Sequence, residues 1–411
     1  MKKTHIICKH QKHWFLIMLL LVSCEILDND PDKHVGQDKD STFIALDEVA
    51  RILSAIPINT AQLQEVHDAV TSSSGNGYDE EYTMRDLFES PGFGVGDSRE
   101  TRSAERYERP MRELIIEYVN SSERTRAGMM SEYDGAGFLD ALAGSDVQIY
   151  WPYSEEWDGK TMPVVTFDPE DDVEENIGFE FIEEDDGFRH VREIVVDEEM
   201  AKERPVWVVN RNSDAGFTSL EMLRREDPEW GDGGGSIIVK PHHHSGATRT
   251  DRPMKMLVLK DFTMRRQFDS WFCGAAEFFV KISSLDDFTA TTEAELRLYN
   301  PQITDFMIVV KRNQIGIPQP SNVVLVSDIK DEVEEYAFMI TEDDGGTQTE
   351  WSCKAKVFVA GKSYGVEVSF PMSVRDDIVW RGKLTRKSLD RFDNMVSPFG
   401  DVELTFEQIE Y

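Results

Sequence analysis

From residue 147 to the end of the chain, apolar residues recur at every second position in short runs, and this period restricts the fold more than any other feature. A β-strand turns successive side chains to opposite faces, so alternation of this kind demands sheets with a buried side. Val147–Trp151, Met162–Phe167, Ile177–Phe181, Arg189–Val196 and Val206–Asn210 read as strands of a central β region over 146–212. Gly159-Lys160 falls where a hairpin turn would join the first two. A second set fills 256–411: Met256–Thr263, Ala276–Ile282, Glu293–Leu298, Thr304–Lys311, Asn322–Val326, Glu335–Thr341, Cys353–Val359, Tyr364–Phe370 and Glu403–Ile409. Ala360-Gly361-Lys362 marks a tight hairpin, and 385–392 is a helix-like patch. Short strands joined by acidic turns predict a C-terminal antiparallel β-sandwich.

Ahead of the strands the period changes to that of a helix. Phe43, Leu46, Val49, Leu53 and Ile56 share one helical face, and Pro57 ends the run. Further helices are expected over Ala61–Val70, after Pro110 through Val119, and over Phe138–Ala143, with an irregular segment at 89–109. Residues 43–145 thus form a helical N-terminal region whose short stripes need a surface to pack on. Residues 213–255, with Gly-Asp-Gly-Gly-Gly235 and Pro241-His-His-His-Ser-Gly246, read as a Gly/His-rich linker or loop. The fold class predicted is α+β, mainly β.

The first 23 residues carry four lysines, no acid and the apolar run Trp14–Val22, the layout of an export signal peptide. That run is far shorter than the roughly 20 residues that span a bilayer. Leu21-Val22-Ser23-Cys24 resembles the lipobox of bacterial lipoproteins, which implies acylation of Cys24, removal of 1–23 and a membrane anchor of several chains. Glu25, Asp28, Asp30 and Asp32 follow at once, and 24–42 reads as an acidic tether. This pattern resembles the acidic export signals of lipoproteins that Bacteroidetes-type bacteria display on the outer face of the outer membrane. The strings DVQIYWPYSEEWDGKTMPVVTFDPEDD (146–172), VDEEMAKERPVWVVNRN (196–212) and DSWFCGAAEFFVK (269–281) are similar to those of an uncharacterised group of such lipoproteins. The strand count and acidic loops of 256–411 resemble a C2-like sandwich. These resemblances imply location and architecture and carry no catalytic residue.

Net charge is −34, and would be −38 without the leader lysines, which argues against a nucleic-acid partner because a phosphate backbone needs clustered Lys and Arg. Such charge keeps a body soluble and can gather divalent cations. Calcium takes six to eight oxygens, and Asp286, Asp287, Asp343 and Asp344 could supply some if their loops share one end of the sandwich. His242, His243 and His244 are the imidazoles available for zinc, provided that Pro241 and Gly246 turn the chain. Solvated turns account equally for all seven.

Trp151, Tyr153 and Trp157 stand near carboxylates and could stack a sugar or clamp a peptide, or could close a sheet against the helices. Alternation sends Tyr150 and Trp151 to opposite faces. Cys273 and Cys353 could form a disulfide in an exported protein, or stay as buried thiols. There is no H-E-x-x-H, no G-x-S-x-G elbow and no phosphate loop. The reading that follows is a surface-anchored binding or accessory lipoprotein of the cell envelope with a glycan, peptide or protein ligand. Its rivals are a metal-dependent hydrolase using the His242–His244 loop and a structural subunit of an envelope complex.

Overall fold

Helix α1 (Leu46–Ala55) forms where the stripe predicts it. Leu46, Val49, Ile52 and Leu53 are buried, and Asp47 and Glu48 sit in the first turn, where carboxylates favour the helix dipole. In α2 (Thr60–Gly75), Asn59 and Gln62 make a reciprocal capping box. Three shorter helices follow: α3 (Met84–Phe88), capped by the Thr83 hydroxyl, α4 (Met111–Val119) and α5 (Gly135–Ala143). The computed structural model describes residues 44–89, 107, 109–121, 135–169, 173–183, 189–212, 217–226, 254–285 and 288–410, all within one folded unit.

The helices find their surface on a six-stranded sheet. Its strands are β1 (Glu81–Thr83), β2 (Val147–Tyr150), β3 (Val164–Phe167), β4 (Glu175–Glu183), β5 (Arg189–Asp197) and β6 (Val206–Arg211), in the order β1-β2-β6-β3-β4-β5. Helix α6 (Glu198–Glu203), capped by Asp197, links β5 to β6. All pairings are antiparallel except β3 with β6. β6 therefore separates β2 from β3, and Gly159-Lys160 is not the turn of a hairpin between neighbours; it lies in the connection that carries the chain past β6. Alternation sorts the sheet into two buried faces. Ile149, Trp151, Val165, Trp207 and Val209 pack against the helices, while Tyr150, Val164, Val206 and Val208 pack against Trp271 and Phe272. The helical and central regions thus share one core.

The sandwich has two sheets. One contains β7 (Lys255–Met264), β10 (Gln319–Val326), β15 (Val396–Phe399) and β16 (Val402–Glu410). The other contains β8 (Ala276–Ser284), β9 (Gln302–Val310), β11 (Val333–Glu342), β12 (Gln348–Val359), β13 (Lys362–Ser373) and β14 (Asp377–Thr385). Leu257, Leu259, Phe262, Phe278, Phe338, Val357, Phe370 and Phe406 meet between them. An irregularity in the pairing of β7 lets both Leu259 and Phe262 face inward although three positions separate them. Ala360 and Gly361 form the expected tight turn, with Val359 opposite Lys362 and positive φ at both turn residues.

Beyond the Gly159-Lys160 turn, the structure differs from expectation in further places. Glu293–Leu298 is not a strand: Thr292 and Glu295 build a capping box, and Glu293–Leu296 is helix α8. β14 has an inward face, but Gly382 stands between Trp380 and Leu384 on it, so the alternation is faint in the sequence. Part of 213–255 is ordered structure rather than linker: α7 (Leu220–Glu226) places Leu220 in the sandwich core, and the Phe217 ring lies 4.4 Å from that of Phe279. Patch 385–392 is helix α9 (Arg386–Phe392), capped by Thr385.

Candidate functional site

Sheet and sandwich meet along a polar seam built on three consecutive acids. Asp79, Glu80 and Glu81 are all buried, at the edge strand β1 and just before it. Asp79 accepts hydrogen bonds from the Ala275 and Glu80 amides at 2.9 and 2.7 Å. Glu81 accepts from Asn212 at 2.7 Å. From the sandwich side, the main chain of Phe272 and Cys273 accepts from the fully buried Asn210 at 2.9 and 2.8 Å. Arg312, also buried, donates to Glu198 at 2.8 Å and to the Asp269 carbonyl at 3.3 Å. Burial works against ionisation of Glu198, but the Arg312 hydrogen bond and charge outweigh it and lower its pKa.

Glu80 faces a cleft of about 320 Å³ lined by Thr71, Ser74, Glu80, Ser154, Glu155, Lys311, Asn313 and Gln314. Ser154 donates to Glu80 at 2.8 Å, and Lys311 Nζ lies 3.8 Å from the same oxygen while donating to Ser74 at 2.6 Å. Burial pushes the Glu80 carboxyl up to about 8, Lys311 opposes the shift, and Asp79 and Glu155 reinforce it. Glu155 moves the other way: burial raises it, but the hydrogen bond with Glu80 outweighs that, and Lys311 and Asn313 add to the lowering. Glu155 is thus the more acidic of the two carboxyl groups. The lining is suited to holding a polar group.

A second cluster lies where β11 ends. Oxygens of Asp269, Glu342 and Asp344 all lie within 4.8 Å of one another. Glu342 is fully buried and neither of its carboxylate oxygens has a hydrogen-bond partner. Desolvation drives its pKa far upward, with Asp269 and Asp344 adding to the effect. Asp344, pushed up to about 8, responds to burial first and then to Asp269.

The residues singled out in the sequence fare unequally. Asp344 joins this cluster. Asp343 does not; it accepts from the Gly345 amide at 3.1 Å and faces Asp376. Cys24, His242, His243, His244, Asp286 and Asp287 lie outside the described residues. Trp151, Tyr153 and Trp157 all make contacts within the fold, Trp151 buried and the other two half-buried. Trp151 is buried between Trp157 and Trp207, the Trp157 indole donates to the Thr161 carbonyl at 3.0 Å, and Tyr153 donates to Glu198 at 2.9 Å. Cys273 and Cys353 are free thiols, one on the loop ahead of β8 and the other within β12, so the disulfide is not formed.

Asp79–Glu81, Asp269 and Glu342 went unmarked in the sequence. Glu342 carried a signal: it continues the inward phase of Tyr336, Phe338 and Ile340, where an acid is out of place. Among the described residues, no helix is long and apolar enough to cross a membrane. Neither a protein-family model nor a curated protein nor a solved structure matches this chain.

Proposed function

We propose that the chain is a surface-anchored binding or accessory lipoprotein of the cell envelope, held to the outer membrane through acylated Cys24 and facing the exterior, with its ligand taken by the polar cleft. The observation that carries this reading is the cleft itself. Its lining combines donors on Lys311, Asn313 and Gln314 with the carboxyl groups of Glu80 and Glu155. A ligand matching it presents hydroxyls that both donate and accept, as an oligosaccharide does. A concave polar site favours capture over a purely structural role, which would call for a broad apolar face instead. The acidic body suits display in water beside a membrane.

Two experiments test the proposal. Cys24→Ala is expected to move the protein from the membrane to the soluble fraction and abolish fatty-acid labelling; an unchanged distribution counts against the anchor. On a glycan array, the native chain is expected to bind a restricted set of sugars, with binding at least tenfold weaker in Lys311→Ala and Glu155→Gln. Folded protein that binds only peptides, or nothing, defeats the glycan assignment.

A further inference from the structure

Glu342 presents a problem that hydrogen bonding within the protein does not solve. A buried carboxylate without donors is costly, and in folded proteins such groups are paired or coordinate a metal. The groups converging on it are themselves acids, Asp269 and Asp344, each half-buried and open to solvent on one side. Asp377 adds charge of the same sign. Calcium–oxygen distances of 2.3–2.6 Å place ligands on one ion up to about 5 Å apart, so oxygens within 4.8 Å of one another can all reach a common centre.

We propose that Asp269, Glu342 and Asp344 bind one divalent cation of the calcium class. The donor set selects the metal: three carboxylates, with no imidazole or thiol joining them among the described residues, suit a hard cation rather than zinc or copper. Calcium accepts irregular and bidentate carboxylates, whereas magnesium demands a near-ideal octahedron and keeps its waters. Solvent completes the shell on the open side of Asp269 and Asp344. The ion also has a structural consequence. Arg312 fixes the Asp269 carbonyl, and the same loop delivers Trp271 and Phe272 to the central sheet. Bound calcium therefore ties the end of β11 to the loop that joins sandwich and sheet. This site is separate from the cleft, and its test does not depend on the glycan reading.

The test is calorimetric titration of calcium into the full chain, purified in detergent and stripped with chelator. The expected result is one ion per chain, with a dissociation constant of about 10⁻³ M or tighter. Magnesium should bind at least tenfold more weakly. Glu342→Gln and Asp344→Asn should each weaken calcium at least tenfold, while Glu80→Gln in the cleft leaves it unchanged. Glu342→Gln changes a buried side chain and Asp344→Asn a half-exposed one, so a circular-dichroism melt confirms that at least one is folded before it is scored. Absence of saturable calcium binding in the native chain, equal affinity for magnesium, or undiminished binding in a folded variant would overturn the proposal.

Discussion

At the scale of single residues, the seam depends on carboxyl groups whose affinity for protons burial has changed. Glu80 is held at about 8 in the folded protein against 4.5 as its ordinary value. Between those values the folded state retains a proton that the unfolded chain has released, so the contribution of Glu80 to stability is complete below about pH 4.5 and is lost as pH rises toward 8. Glu80→Gln keeps the uncharged form at every pH. Denaturant unfolding at pH 5 and pH 8 should show the variant gaining about 3.5 kcal/mol on the native chain over that interval. A constant difference would mean that Glu80 ionises normally. None of this was legible in Asp79-Glu80-Glu81, because a run of acids reads as a solvated turn until the far side of the seam is known. Lys311 and Arg312, which make burial tolerable, stand more than 200 positions away.

At the scale of elements, local chemistry was readable where it acts within a few residues. Ala360-Gly361 specified its hairpin because the alternating runs on either side leave two residues for the turn. Ala360 adopts φ 49°, a left-handed conformation disfavoured by a Cβ, so Ala360→Gly should raise stability by about 0.5–1 kcal/mol in thermal melts. Lower stability would show that the methyl group packs usefully. Helix α8 illustrates the opposite outcome. Its residues Glu293–Leu296 alternate well enough for a strand, but Thr292 and Glu295 satisfy the first amides of a helical turn, and capping prevailed over period. Strand order lay beyond reach for a different reason: alternation records which face is buried and nothing about neighbours, so the placing of β6 between β2 and β3 leaves no trace in either run.

At the scale of the molecule, two hydrophobic cores are joined by a thin layer rather than merged. Trp271 and Phe272, with ring centroids 4.1 Å apart, reach from the sandwich into the outer face of the central sheet, and Asn210 holds their loop by its carbonyls. Trp271→Ala should cost about 3–5 kcal/mol and separate unfolding into two transitions by calorimetry, the sheet with its helices melting apart from the sandwich. A single transition displaced to lower temperature would show that the seam's ion pairs suffice to couple the halves.

The insertion of β6 also has a consequence for synthesis. A chain delivered from its N-terminus brings out β2 and β3 well before Val206–Arg211, and those strands have no bond to each other. Until the sixth strand arrives, each keeps an unsatisfied row of amides and carbonyls, the kind of edge that recruits foreign strands. Synthesis thus includes an interval in which this half of the chain must be kept from aggregating, and a chain ending before residue 206 is expected to accumulate as insoluble material.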